Sequence, residues 1–579
     1  MPGLRGFADL HAHPVAHRAF GGRVLAGAAF HPDGINAALA NCETVGQPHA
    51  HFGHEGALLG SVIRMLSERS HGACGAPTFA DWPVFDTLYH QQMHVDWIHR
   101  AWRHGLRLLC AHMVNNEMLA RESGAVRFSD FNMLESQVHE LRELVTFANA
   151  RVAPGDPPWM EIASSPQDAR RIVGEGKLAI VIGIEMDTIE SLARHVANDE
   201  PTEHRPPLAH PSSLPSVPTQ SLRERPFLES EIDRVLDVLQ HFGVSMMTPV
   251  HVADNALGGA AVYNDYFDLL NCWLRGEYFT LDEDRSLGFR LGVDPTRFEL
   301  IRALILRLPP RTIPPPDDPA AGHANTRGLT AVGRAFLQRA MRRGFIIDVD
   351  HMSSAATDDA LSLSTSARYP FISSHSSFRA LGLMPRDTTD NSCLCHEGMK
   401  TPEQVDAILA QGGLVAPITN QHILKKFGNV PNDATGTSKT YAQAFLYAAD
   451  RVAQKGGGVA LGTDFNGLAG QPGPRYGFLA PKPVGNAADA LHYDDLARLS
   501  YFLQQPLTRV QLPGRQAGPF DYNVDGLAHF GLLPDFLEDL RTVGVPDSAM
   551  DALYDSAEAF VQMWERCQVR SAELRAAPP

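Results

Sequence analysis

The sequence predicts an α/β fold, a parallel (β/α)8 TIM barrel carrying large loop insertions, on three observations. Apolar runs of strand length alternate with helix-compatible stretches along most of the chain. Eight such runs end beside a polar residue, at His11, Asn115, Glu185, His251, His351, His375, Asn420 and Asp464. Carboxyl ends of strands are where barrels of this type build their sites. The third observation is the stretch from Gly344 to Asp387. Two apolar runs there, Phe345–Val349 and Phe371–Ser373, flank a helical segment at Ser354–Ser364 and lead to His351 and His375. Neighbouring strands lie about 5 Å apart, so imidazoles at two adjacent strand ends can meet at one metal.

Taken in order, Gly6–Pro14 reads GFADLHAHP, a short strand. Its His11 and His13 are two apart in extended chain and so face the same way. His49, His51 and His54 read as part of an exposed polar loop. Trp82–His104 has apolar positions at rough helical spacing and reads as a packed amphipathic surface. Strand Leu106–Val114 follows, then helix Asn132–Ala150 with Leu134, Val138, Leu141 and Leu144 on one face. Leu178–Ile184, LAIVIGI, is the clearest buried strand, and Glu185 comes directly after it. A carboxylate at the edge of so apolar a segment is costly unless paired or bound to a cation, so Glu185 reads as a ligand.

Ser191–Phe227, rich in Pro, Ser, Arg and His, reads as a long surface loop. Helix Glu229–His241 leads to strand Val244–Val250 and His251, and helix Gly328–Gly344 feeds the stretch described above. Beyond it lie helix Pro402–Gln411, strand Leu414–Thr419, helix Lys439–Lys455 and strand Gly458–Gly462 before Asp464. Two helical runs, Leu533–Val543 and Ser548–Arg566, finish the chain. The expected organisation is one catalytic barrel domain over residues 1–579, with insertions at about 15–104, 191–227 and 263–327 and a C-terminal helical segment at about 530–570.

Composition limits the function classes. The chain has 579 residues, a formal net charge of −16 and 26 histidines, and is 44% hydrophobic. An acidic balance argues against a nucleic-acid or anionic-membrane partner, which would want a basic surface. No apolar run reaches the roughly 18 residues of a membrane span. The opening residues lack an apolar leader core, which gives the expectation of a cytoplasmic protein, or of a secreted or periplasmic one if a leader was removed. Seven cysteines, an odd number, do not make a disulfide framework. Cys393 and Cys395 with His396 read as a metal site only weakly, since no second pair exists. A homodimer is left open.

His11, His13, Glu185, His351 and His375 form a set of four imidazoles and one carboxylate. A carboxylate can bridge two cations about 3.5–4 Å apart. One cation would take His11 and His13 and the other His351 and His375, with zinc the best match and manganese, iron or cobalt as alternatives. Water held between two such ions becomes a hydroxide nucleophile near neutral pH. Asp464 is placed to take its proton and return it to the leaving group, and His251 to donate to the developing oxyanion. Arg386, eleven residues after His375, is placed to meet a substrate carboxylate, with Arg379 as the competing arginine.

These residues resemble the membrane (renal) dipeptidase family of the amidohydrolase superfamily. The matching pieces are DLHAHP at Asp9, GIEMD at Gly183, TPVHVADN at Thr248, GLTAVGRAFLQRAMRRGFIIDVDHMS at Gly328, FISSHSSFRALGLMPRD at Phe371 and ALGTDFNG at Ala460. The resemblance implies a binuclear zinc metalloprotease barrel that hydrolyses dipeptides. It implies Glu185 as bridging ligand, His251 as substrate and transition-state contact, Arg386 as binder of the substrate's terminal carboxylate and Asp464 as proton shuttle. Departures are visible too. His13 stands where the family usually has Asp, Asn466 stands where it often has Asp, and no Gly-Gly-Asn pattern occurs around Tyr554–Ala557. The alternatives are an amidohydrolase acting on another amide, lactone or ester, and a non-catalytic metal-bearing binding protein.

Overall fold

The computed structural model describes residues 3–39, 83–86, 88–123, 125, 127–195, 226–292, 299, 301–313, 317–480, 489–496, 506–515 and 517–576. The loop with His49, His51 and His54 and most of the Ser191–Phe227 segment lie outside them. The strands are β1 (Phe7–Ala12), β2 (Leu106–Asn115), β3 (Met160–Ile162), β4 (Leu178–Met186), β5 (Met246–Thr248), β6 (Leu281–Asp284), β7 (Gly322–Asn325), β8 (Ile346–Ile347), β9 (Ser373–Ser376), β10 (Leu414–Pro417) and β11 (Gly458–Val459).

The architecture is α/β, with parallel strands in a curled half-barrel sheet. One sheet runs β1-β2-β4-β5-β8, with β3 paired to β4 off that path, and a second runs β11-β10-β9. Every pairing in both is parallel. Isolated parallel bridges join the two sheets, Asp348 to Ile372 on one side and Asp9 to Leu461 and Ala12 to Phe465 on the other. β4 is buried at all nine positions, as its unbroken apolar run demands of a strand covered on both faces.

Local chemistry sets the helix limits. Thr330 caps helix Ala331–Arg343 through the Gly333 amide, and Gly344 closes it in the left-handed region at φ 83°. Ser353 caps Ser354–Ala367 in the same way, and Thr401 with Gln404 makes a capping box for Pro402–Ala410. The single run expected at Ser548–Arg566 is two helices, Asp547–Tyr554 and Ser556–Ala576. The break lets the chain bond β1: Gly6 donates to the Tyr554 carbonyl, and Ala8 donates to Ser556 Oγ at 2.7 Å. Among the described residues of Trp82–His104 the helix covers Val95–Arg103. Three strands were not expected: β3, and the antiparallel pair β6–β7 inside the 263–327 insertion.

Candidate metal centre

The site sits at the carboxyl ends of the parallel strands. β1 carries His11 as its fifth residue, and His13 follows the strand; both are fully buried. Glu185 is the eighth residue of β4 and 3% exposed. β8 stops at Ile347, and His351 then adopts a left-handed backbone at φ 63°, unusual for a residue with a Cβ. Asp464, beyond β11, does so as well at φ 50°. Strain of this kind persists only where the surroundings hold it, and it concentrates at functional sites.

The Glu185 carboxylate is the hub. Its Oε2 lies 3.2 Å from Nε2 of His11, 3.5 Å from that of His13 and 3.7 Å from that of His251. Its Oε1 lies 2.9 Å from His351 Nε2 and 3.8 Å from His375 Nε2, and those two nitrogens are 2.8 Å apart. Asp464 Oδ1 is 3.1 Å from His13 Nε2. Two groups therefore gather ligand atoms within 4.8 Å of one another and share Glu185: His11 with His13, and His351 with His375. A third group of that size joins His11, Asp348 and His375.

Each imidazole turns Nε2 inward and ties Nδ1 outward. His11 Nδ1 meets Ser374 Oγ at 2.9 Å, and that hydroxyl donates to Asp348. His13 Nδ1 meets the His112 carbonyl at 3.0 Å, and His351 Nδ1 meets the Tyr263 hydroxyl at 2.5 Å. His375 Nδ1 lies 3.0 Å from Ser374 Oγ and 3.5 Å from Asp350. His251 Nδ1 lies 2.8 Å from Asp187 Oδ1. Outer partners of this kind fix tautomer and ring orientation in metal sites. The His112 ring stacks on His11 with centroids 4.0 Å apart, filling the space a side chain at Gly183 would take.

Burial and charge set the protonation states. Burial pushes His375 and His112 well below the ordinary imidazole value and lowers His351, which leaves these rings neutral. Burial alone would raise Glu185, but the imidazoles of His11, His251 and His351 hold it well below the usual carboxylate range. His351 and His375 are thus in the neutral state that a divalent cation needs, whereas at His13 burial is outweighed by the Asp464 and Glu185 carboxylates, which raise it. His251 differs: burial works against its charge, yet Glu185 and Asp187 prevail and push it up to about 9. Burial raises Asp9 to about 7, against bonds from Thr463 and the His11 amide.

Other expected residues take different places. Arg386 is exposed in the turn after β9 and makes no ion pair among the described residues. Arg379 bonds Ser354 Oγ at 2.9 Å and Ser286 Oγ at 3.2 Å. Asn115 bonds the Phe128 carbonyl and Asp130, a structural role. Asn466 supports His13 by donating to its carbonyl at 3.1 Å. Cys393 and Cys395 belong to none of the metal-capable groups among the described residues. Reading the sequence missed Tyr263, Ser374, Asp348, Asp350 and His112. Asp348 and Asp350 carried a signal, since DVDH places two carboxylates two apart beside a ligand histidine.

Residues 316–474 match the family model for membrane dipeptidase, peptidase family M19, so the resemblance to that family is shown over the segment that carries His351, His375, Arg386 and Asp464. A comparison with curated proteins finds no match. Solved structures similar to the chain include an amidohydrolase from Pseudomonas aeruginosa, 13% identical, covering 82% of this chain and 92% of that one with a TM-score of 0.40. Another is the probable dipeptidase PvdM from Pseudomonas aeruginosa, 15% identical, covering 83% and 89% with a TM-score of 0.41. A third is a metallo peptidase from Rhodobacter sphaeroides liganded with a phosphinate mimic of a dipeptide, 12% identical, covering 81% and 89% with a TM-score of 0.41.

Proposed function

We propose that this chain is a metal-dependent hydrolase that cleaves the amide bond of dipeptides or dipeptide-like substrates at a pair of divalent cations. The observation that carries the reading is the convergence of four inward-facing Nε2 atoms on the two oxygens of one buried carboxylate. Glu185 Oε1 lies 2.9 Å from His351 Nε2, yet it accepts no hydrogen bond. Buried oxygens are rarely left so, and a cation would satisfy this one. His11, His13 and Glu185 would hold one ion, and Glu185, His351 and His375 the other. Imidazole with carboxylate suits zinc best. Such a pair supplies Lewis acidity that brings water toward ionisation near neutral pH. The bridges between the two sheets support closure into the eight-stranded barrel, as one catalytic domain.

The protein's own groups do the remaining work. Asp464 is 9% exposed and bonded to His13, placed to take a proton from the attacking water and pass it to the leaving amine. His251 holds its proton against burial and presents Nε2 beside Glu185, as a donor to the oxyanion must. Arg386 offers a planar fork to the substrate's carboxylate. Its exposure favours a second reading, in which the loops admit a different amide, lactone or ester.

Protein stripped with chelator should be inactive and should cleave dipeptides or N-acyl amino acids once zinc or manganese is restored. Asp464→Asn should lose on the order of 100-fold or more in kcat while keeping its cations. Metal-replete protein that is inert towards that panel overturns the dipeptide assignment. Turnover of esters or lactones alone selects the second reading, and ligand affinity without product identifies a binding protein.

A further inference from the structure

Tyr263 is the first residue of the segment 263–327, which the sequence marks as an insertion into the barrel. Its phenol oxygen lies 2.5 Å from His351 Nδ1, a direct bond from the base of that insertion to a ring of the candidate metal centre. Two further rings pack against the tyrosine ring. Phe267, from helix Asp265–Arg275 of the same insertion, meets it edge-on at 4.9 Å between centroids, and the ring of His396 lies 5.2 Å away on a tilt. Ala261, two residues earlier, donates its amide to the His351 carbonyl at 2.8 Å, so backbone and side chain both grip His351. That residue has the left-handed backbone, which by itself is unfavourable and needs such a grip.

We propose that Tyr263 is the positioning residue of the second cation: its hydroxyl holds the His351 ring so that Nε2 faces Glu185. This rests on the cation pair proposed above. The polarity of the bond follows from elementary chemistry. A neutral imidazole carries one hydrogen, and a ligating Nε2 cannot bear it, so the hydrogen sits on Nδ1 and Tyr263 accepts it. A phenol oxygen has a lone pair free to accept it. Without the hydroxyl, Nδ1–H would face the ring edge with no acceptor.

Tyr263→Phe separates this role from packing, because the ring keeps its contacts with Phe267 and His396 while the acceptor is lost. The probe is cobalt(II), titrated into metal-free full-length protein and followed by its visible absorption. The wild type should bind two equivalents. In Tyr263→Phe the first equivalent should bind as before, and the second should bind about 10–100-fold more weakly with an altered spectrum. The metal-free variant should still melt in one cooperative transition, at most a few degrees below the wild type, the cost of one buried Nδ1–H left without an acceptor. A variant with two wild-type affinities and an unchanged spectrum overturns the role of Tyr263 and leaves the cation pair standing. Wild-type protein that fails to bind a second equivalent overturns both readings.

Discussion

Lys400 is 1% exposed, and no solvent reaches its charge. Its ammonium donates to the Val349 carbonyl at 2.9 Å and lies 3.4 Å from Asp350 Oδ1. Asp350 in turn accepts the Ser373 hydroxyl at 2.6 Å and the backbone amide of His375 at 2.8 Å. A buried lysine is thus linked through one carboxylate to a candidate ligand. Burying two charges is costly, and the pair's attraction offsets that cost only while both partners remain. Lys400→Met should lower unfolding free energy by about 3–5 kcal/mol, because it strands Asp350. The double variant with Asp350→Asn should be more stable than Lys400→Met alone. Urea unfolding of the three proteins checks this; a double variant less stable than Lys400→Met would show that the ion pair is not the source of the loss.

At the scale of elements, β4 shows how a strand's interior serves the site. Gly183 pairs with His112 of β2 and with Met246 of β5. A methyl group at Gly183 would come within 2.7–2.8 Å of three atoms of the His112 ring. That ring stacks on His11, and its Nε2 lies 3.2 Å from the Leu10 carbonyl, so it has nowhere to retreat. Gly183→Ala should therefore destabilise the fold by about 1–3 kcal/mol, as overpacking does, and weaken cation binding through a tilted His11. Denaturant unfolding beside a metal titration measures both, and unchanged values in both would refute it. Such contacts join residues distant in sequence, which explains what the sequence left hidden. Runs such as LAIVIGI and GVALG were legible because burial on both faces demands continuous apolarity. Histidines two apart were legible because strand geometry alone aims them together. Tyr263, Ser374 and His112 were not, since each acts on a residue that only the tertiary fold brings near. Strand β3 is three residues long, and the β6–β7 pair is barely apolar, so neither carries a periodic signal.

At the scale of the whole molecule, one carboxylate fastens the inserted segment to the site. Glu397 accepts the amides of Val262 and Asn325 at 2.8 and 2.9 Å through Oε2 and that of Ser354 at 2.9 Å through Oε1. Val262 precedes the insertion, Asn325 ends β7, and Ser354 opens the helix after His351. Burial raises Glu397 from 4.5 to about 7, although the three amides pull the other way. Between those values the folded chain holds a proton that the unfolded chain has released. Stability must then fall as pH rises through that window and level off above it. A shift of this size corresponds to about 3 kcal/mol between pH 4.5 and pH 7. Glu397→Gln keeps the shape without the titration and loses part of the amide bonding at every pH. Its deficit against the wild type should therefore be largest near pH 5 and shrink towards pH 7.5, by up to about 3 kcal/mol. Urea unfolding of both proteins across that range measures the difference. A deficit that stays constant with pH would mean that Glu397 remains ionised throughout, with its three amide bonds outweighing its burial.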